Sequence, residues 1–233
     1  MKGEKLLAAL RRELARIGDP ERAKGAQAYM KSAMPYHGVS AKPQRAVFKE
    51  VFADLVFDDP AAWRGAVLEI WRRARFREER YAALWLAGDK RARDFQTFSV
   101  LPLYEEIIVT GAWWDYVDDV ASHRLGELLR RDAKKMKKAM LQWSRCDDMW
   151  KRRSSIICQL SFKKETDLEL LYACIEPSLD SKEFFLRKAI GWALRQHAWT
   201  DPDEVVRYVR ENETRLSGLS KREALKNAGK RRG

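Results

Sequence analysis

The sequence predicts an all-α fold of stacked antiparallel helix pairs, a helical-repeat solenoid. Three observations predict it. Apolar residues recur at helical spacing along nearly the whole chain, and no run shows the sustained alternation of a half-buried strand. Gly (12) and Pro (7) are sparse in 233 residues, which favours helix over a turn-rich β architecture. A faint internal repeat is also present. Arg80-Tyr81-Ala82-Ala83-Leu84, Arg153-Ser154-Ser155-Ile156-Ile157 and Arg187-Lys188-Ala189-Ile190-Gly191 each set a basic residue before small or apolar ones. Their arginines lie 73 and 34 residues apart, near two periods and one. A period in the mid-thirties is that of two-helix solenoid units, whose stacking makes a curved array with a concave face.

The elements follow in order. Leu6, Leu7, Leu10, Leu14 and Ile17 form the first apolar stripe, which Gly18 ends. Asp19-Pro20 is an N-cap and first-turn signature, opening a helix expected to reach Met34, before Pro35. Pro43 opens a third helix, with Val47, Val51 and Leu55 on one face. Asp58, Asp59 and Pro60 start a fourth, carrying Trp63, Val67, Ile70 and Trp71. The pattern continues over 78–93, 99–110, 113–131, 134–145, 147–162, 166–178, 181–198, 202–214 and 220–230. Connections are short, so consecutive helices should pack antiparallel. No Pro- or Ser-rich linker divides the chain, so a single domain over 1–233 is expected.

Composition narrows the function classes. Lys and Arg number 46 against 34 Asp and Glu, a net charge of +12 with a pI near 9.7, which suits a polyanionic partner and says nothing of fold. Cys146, Cys158 and Cys174 form no CxxC pair and read as free thiols of a reducing cytosol. His37, His123 and His197 are widely separated, so neither metal nor cofactor is expected. The first apolar stretch is broken by Arg11, Arg12 and Glu13, which is unlike a secretory leader, and no apolar run approaches a membrane span. A cytoplasmic protein is expected.

Four constellations could carry chemistry. Trp114 and Asp118 are four residues apart, which on a helix places an indole and a carboxylate on one face. An aromatic plane beside an acid suits a cation, although helical Trp is more often core and Asp more often simply solvated. Trp113 points about 100° from Trp114, so one ring can fill the core with Tyr116, Val117 and Val120 while the other faces out. Next, Trp150-Lys151-Arg152-Arg153 follows Asp147-Asp148. The acids suit a helix N-terminus, and of the three cations at least one should reach the concave face. Third, Lys188, Trp192 and Gln196 are spaced by single turns around Gly191, a residue that costs about 1 kcal/mol in a helix and needs a close neighbour to justify it. Fourth come the basic runs Arg130, Arg131, Lys134, Lys135, Lys137, Lys138 and Lys221, Arg222, Lys226, Lys230, Arg231, Arg232, suited to salt-sensitive phosphate contact or to a solvated face.

At these residues the chain resembles the bacterial DNA alkylation repair enzymes of the AlkD type, the HEAT-like-repeat alkylpurine DNA glycosylases. The likeness is carried by IVTGAWWDYVD at 108–118, DMWKRRSSIICQL at 148–160, SKEFFLRKAIGWALR at 181–195 and LSKREALK at 219–226, and more weakly by AYMKSAMPYHGV at 28–39. It covers nearly the whole chain in order. The resemblance implies a HEAT-like solenoid whose concave basic face cradles duplex DNA. It implies excision of positively charged N3- and N7-alkylpurines, such as 3-methyladenine and 7-methylguanine, through N-glycosidic bond cleavage. Trp114, Asp118 and Trp192 match the family's active-site cluster, Arg153 its neighbouring DNA-contacting arginine, and Tyr29 an aromatic near the lesion. Arg152, Lys188, Lys221 and Arg222 are expected to contact DNA. The segment 37–45 follows the family pattern only loosely. No obligate protein partner is implied, and a monomer is the natural state. The competing reading is a noncatalytic HEAT-repeat protein that binds nucleic acid through the same groove.

Overall fold

The computed structural model describes residues 2–228 and is all-helical, as predicted. It has fourteen α-helices and no strand among the described residues. The residues divide into two compact units, between Gln96 and Thr97. Lys230, Arg231 and Arg232 of the terminal basic run lie outside the described residues.

The first unit holds α1 (Lys2–Arg16), α2 (Pro20–Met30), α3 (Ala41–Val51), α4 (Pro60–Arg73) and α5 (Arg77–Ala87). Leu10 and Leu14 of α1 are fully buried, as are Trp63, Val67 and Ile70 of α4. Asp19 and Asp59 cap α2 and α4, each accepting from two backbone N–H groups, and each is followed by Pro at the first helical position. Three expected boundaries move. α3 opens at Ala41 rather than Pro43 and ends at Val51, so Leu55 lies beyond it. α2 stops at Met30 rather than Met34, because Lys31 turns left-handed (φ 47°) and the Lys31 and Ser32 N–H groups bond back to Ala28 and Gln27. The helix expected over 78–93 ends at Ala87, and a 3-10 stretch, Lys90–Phe95, follows Gly88.

A buried acidic pair organises the loop after α2. Glu78 accepts from the backbone N–H groups of His37, Gly38 and Val39 at 2.9, 2.8 and 3.2 Å. Gly38 has φ +81°, and a Cβ there would stand 2.0 Å from the Asp19 carbonyl, so only glycine fits. Glu79 accepts from Arg11 Nε and Nη2, from the Arg75 N–H, and lies 3.4 Å from His37 Nε2. The loosely matching segment 37–45 is thus pinned at its start by α5.

The second unit holds α6 (Leu101–Gly111), α7 (Trp114–Asp119), a π-helical segment (Val120–Leu125), α8 (Gly126–Arg131) and α9 (Ala133–Trp143). It continues with α10 (Met149–Ile157), α11 (Leu168–Ile175), α12 (Phe184–His197), α13 (Pro202–Glu211) and α14 (Gly218–Ala224). Asp132, Asp148, Asp167, Asp201 and Ser217 each cap the helix that follows by accepting from the N–H three residues on. Several side-chain links recur at a spacing of 32–35 residues. Asp118–Arg153, Arg130–Glu165 and Asp180–Arg215 join residues 35 apart, Arg187–Ser220 joins residues 33 apart, and Tyr172–Glu204 residues 32 apart. Such links tie each helix pair to its neighbour, which is how a repeat array holds together. Cys146, Cys158 and Cys174 are free. Among the described residues no helix is long and apolar enough to cross a membrane.

Candidate functional site

The site is built on α7, α10 and α12. Trp113 is not the first helical residue; it is extended (φ −150°, ψ 145°) after a left-handed Ala112, and α7 begins at Trp114. Trp114 and Asp118 therefore sit one turn apart on α7, with both side chains half-buried. On the opposite side Tyr116 and Val117 are fully buried, as is Val120 at the start of the π-helical segment. Trp113 packs in a separate aromatic cluster, with its ring centroid 6.3 Å from Trp150 and 5.7 Å from Phe185. The expected division of one core indole and one outward indole does not appear: both rings are half-buried, and the ring partners of Trp113 come from α10 and α12 rather than from Tyr116, Val117 and Val120.

Asp118 is clasped by Arg153 of α10. Arg153 Nε donates to Oδ1 at 2.7 Å and Nη2 to Oδ2 at 2.8 Å, a two-point fork. Nη1 of the same guanidinium donates to the Phe185 carbonyl at 2.6 Å, so one side chain joins three helices. The pair is unevenly exposed: 15% of the Asp118 side chain is accessible against 5% of Arg153. Anything approaching from solvent meets the carboxylate more readily than the cation. Burial pushes the Asp118 carboxyl above its ordinary value, and the hydrogen bonds and charge of Arg153 oppose that rise without cancelling it.

The π-helical segment begins two residues after Asp118. Ser122 Oγ donates to the Asp118 carbonyl at 2.6 Å. A π turn adds a residue per turn, so it changes the phase between the Trp114–Asp118 face and the packing face of α8, where Leu128 and Leu129 are buried. Nothing in the residue spacing signals this device.

Trp192 lies on α12, seven residues after Phe185, and its side chain is half-buried. The expected reason for Gly191 is a helix: a Cβ there would come within 2.5 Å of the Glu223 Cβ and 3.0 Å of the Ser220 carbonyl of α14. The other expected residues have these places. Tyr29 is 79% exposed near the end of α2, in the first unit. Arg152 donates Nη2 to the Pro177 carbonyl and to Ser178 Oγ, both at 2.9 Å. Lys151 bonds Glu105, so each cation of the 151–153 run has a protein partner. Lys188 is half-buried beside Glu223, Lys221 donates to the Glu213 carbonyl, and Arg222 is exposed. Three contributors were given no role of their own in the sequence: Phe185 and Trp150, which pack with Trp113, and Glu223, which lies beside Lys188. No group of three or more His, Cys, Asp or Glu arranged to hold a metal occurs among the described residues.

Comparison with known proteins decides the family. The sequence model of the DNA alkylation repair enzymes matches residues 10–228. The chain belongs to the DNA alkylation repair enzyme family. Its structure is similar to that of a predicted DNA alkylation repair enzyme from Enterococcus faecalis, with a TM-score of 0.79 and 26% sequence identity, over 92% of this chain and 98% of that one. No curated protein matches it. Family membership makes the protein an enzyme of DNA repair whose substrate is DNA, and the Asp118–Arg153 pair lies within the matched segment.

Proposed function

We propose that this member of the family is an alkylpurine DNA glycosylase of the AlkD type. It hydrolyses the N-glycosidic bond of N3- and N7-alkylated purines in duplex DNA held on the concave basic face of a HEAT-like solenoid. An alkylated purine that already carries positive charge leaves with the bonding electron pair as a neutral base, so it needs little protonation. The barrier lies in the sugar, which becomes oxocarbenium-like as the C1′–N bond breaks. Water then adds at C1′ and gives up a proton.

The observation that carries this reading is the Asp118 carboxylate, mostly out of water and under-compensated by its single arginine. Its ionised form is held at higher free energy than in water, so an approaching cation gains more from it than from a hydrated acid. Asp118 stabilises the developing sugar cation and orients the attacking water. Trp114 and Trp192, neither sealed in the core, present aromatic faces to the cationic sugar and lesion, each contributing roughly 0.5–2 kcal/mol. These interactions strengthen as charge moves onto the sugar, which is the condition for raising a rate rather than merely binding substrate. Arg153 acts first as the clamp that orients Asp118, with Arg152, Lys188, Lys221 and Arg222 toward the DNA backbone and Tyr29 as a further DNA contact. The enzyme works as a cytoplasmic monomer without a cofactor.

The test is base release from duplex DNA carrying either 7-methylguanine or uracil. The mechanism places selectivity on leaving-group charge, so 7-methylguanine is released and uracil is not. DNA binding without release of either base points to the noncatalytic reading, and efficient uracil release to a different mechanism.

A further inference from the structure

Glu223 is a nearly buried carboxylate on α14 that receives three cations. Lys188 Nζ stands 3.2 Å and Lys226 Nζ 2.6 Å from its Oε1, and Arg195 Nη1 stands 2.6 Å from its Oε2. Three positive charges on one negative leave a local surplus of two, and all three cations keep part of their side chains in water. Lys188 and Arg195 are seven residues apart on α12 and so share a face, and Trp192 falls between them, one turn from each. Gly191 is what lets α14 come close enough for one carboxylate to reach both. The contacts with the cations, that of Lys226 foremost, hold the Glu223 carboxyl below its ordinary value, so it stays an anion.

We propose that Lys188, Arg195 and Lys226, gathered on Glu223, form a site for a backbone phosphate beside Trp192, with Glu223 as its positioning residue. The inference rests on the reading that Trp192 faces the DNA; to the Lys188 contact already in that reading it adds Arg195, Lys226 and the positioning role of Glu223. A cation cluster with excess charge and fixed spacing is suited to a phosphate, where scattered lysines give only a diffuse field. Because one carboxylate anchors the cluster, the ordering of three long side chains is already accomplished in the free protein.

The probe is an unmodified DNA duplex, bound by the full chain over a range of salt concentrations. Lys226→Gln, at a side chain 53% exposed, and Arg195→Gln are each expected to lower the slope of log affinity against log salt by about 1. Glu223→Gln separates positioning from charge counting. It removes one negative charge and so raises the net charge by one, and bulk electrostatics alone would tighten binding. Dispersal of the cluster predicts weaker binding and a shallower slope in a variant that thermal unfolding shows to be folded. Unchanged slopes for Lys226→Gln and Arg195→Gln overturn the phosphate site, and tighter or equal binding by Glu223→Gln overturns the positioning role. Undamaged DNA keeps the two proposals apart: the slopes can change in a protein that releases no 7-methylguanine, and stay fixed in one that does.

Discussion

Glu79 in the first unit and Asp118 in the second are built from the same parts, a carboxylate taken out of water and an arginine fork, and they behave in opposite ways. Glu79 is fully buried and draws on the two Arg11 nitrogens, the Arg75 N–H and His37. Burial raises its carboxyl, but the hydrogen bonds from His37, Arg11 and Arg75 together outweigh that and bring it down to about 2. Asp118 has the two nitrogens of Arg153 and no more from that side chain, whose third donor goes to the Phe185 carbonyl. There burial wins and the carboxyl rises. The number of donors, rather than depth alone, decides whether a buried acid is a fixed structural anion or one with electrostatic potential left over for a ligand. Glu79 ties Arg11 of α1 and the Arg75 backbone to α5, and Asp118 is the anion proposed to face the DNA.

The largest effect that separates the two is on stability. Glu79→Gln leaves Arg11 without its carboxylate and is expected to cost about 3 kcal/mol in denaturant unfolding, toward the lower end for a broken buried pair because Arg11 keeps 31% of its side chain in water. A loss below about 1 kcal/mol would erase the contrast. The pH dependence follows with its sign. A carboxyl depressed from 4.5 to about 2 contributes stability that is fully present above pH 4.5 and disappears as pH falls toward 2. The wild type should lose about 3 kcal/mol across that window beyond whatever Glu79→Gln loses, by acid titration of unfolding.

A smaller effect sharpens the comparison from the other side. Arg153→Lys keeps the charge and removes the fork and the link to Phe185. With fewer donors, the Asp118 carboxyl climbs further, so the anion is lost at higher pH. The acid limb of base release should move to higher pH, with a stability loss of about 1 kcal/mol. A limb that stays in place would mean that the titration of Asp118 does not govern the rate.

The sequence shows its helices more readily than its phases. Cap residues such as Asp19 and Asp59, each before a proline, place helix starts within a residue because the signal is local chemistry. The end of α2 depends on a left-handed Lys31, which no residue type announces. Trp114 and Asp118 can be paired from their spacing because both lie on one helix. The tie between Asp118 and Arg153 is long-range, yet its 35-residue separation is the period of the faint repeat, so the repeat held more information than its short matches suggested. Glu223 stays hidden, since a lone acid among lysines has the same appearance in sequence whether it is solvated or the anchor of three cations. The repeated arginines also differ in use. Arg80 lies over Trp71, Arg153 clasps Asp118 and Arg187 bonds the Ser181 carbonyl, so a shared position in the repeat did not fix a shared role.

Single-turnover release of 7-methylguanine by Asp118→Asn, with duplex binding measured on the same preparation, reaches the central claim most directly. Loss of the anionic charge at nearly constant shape predicts a fall of about 10²–10³-fold in release with DNA binding retained. Release by the Asn variant at the wild-type rate would show that the charge on Asp118 does not stabilise the departing sugar.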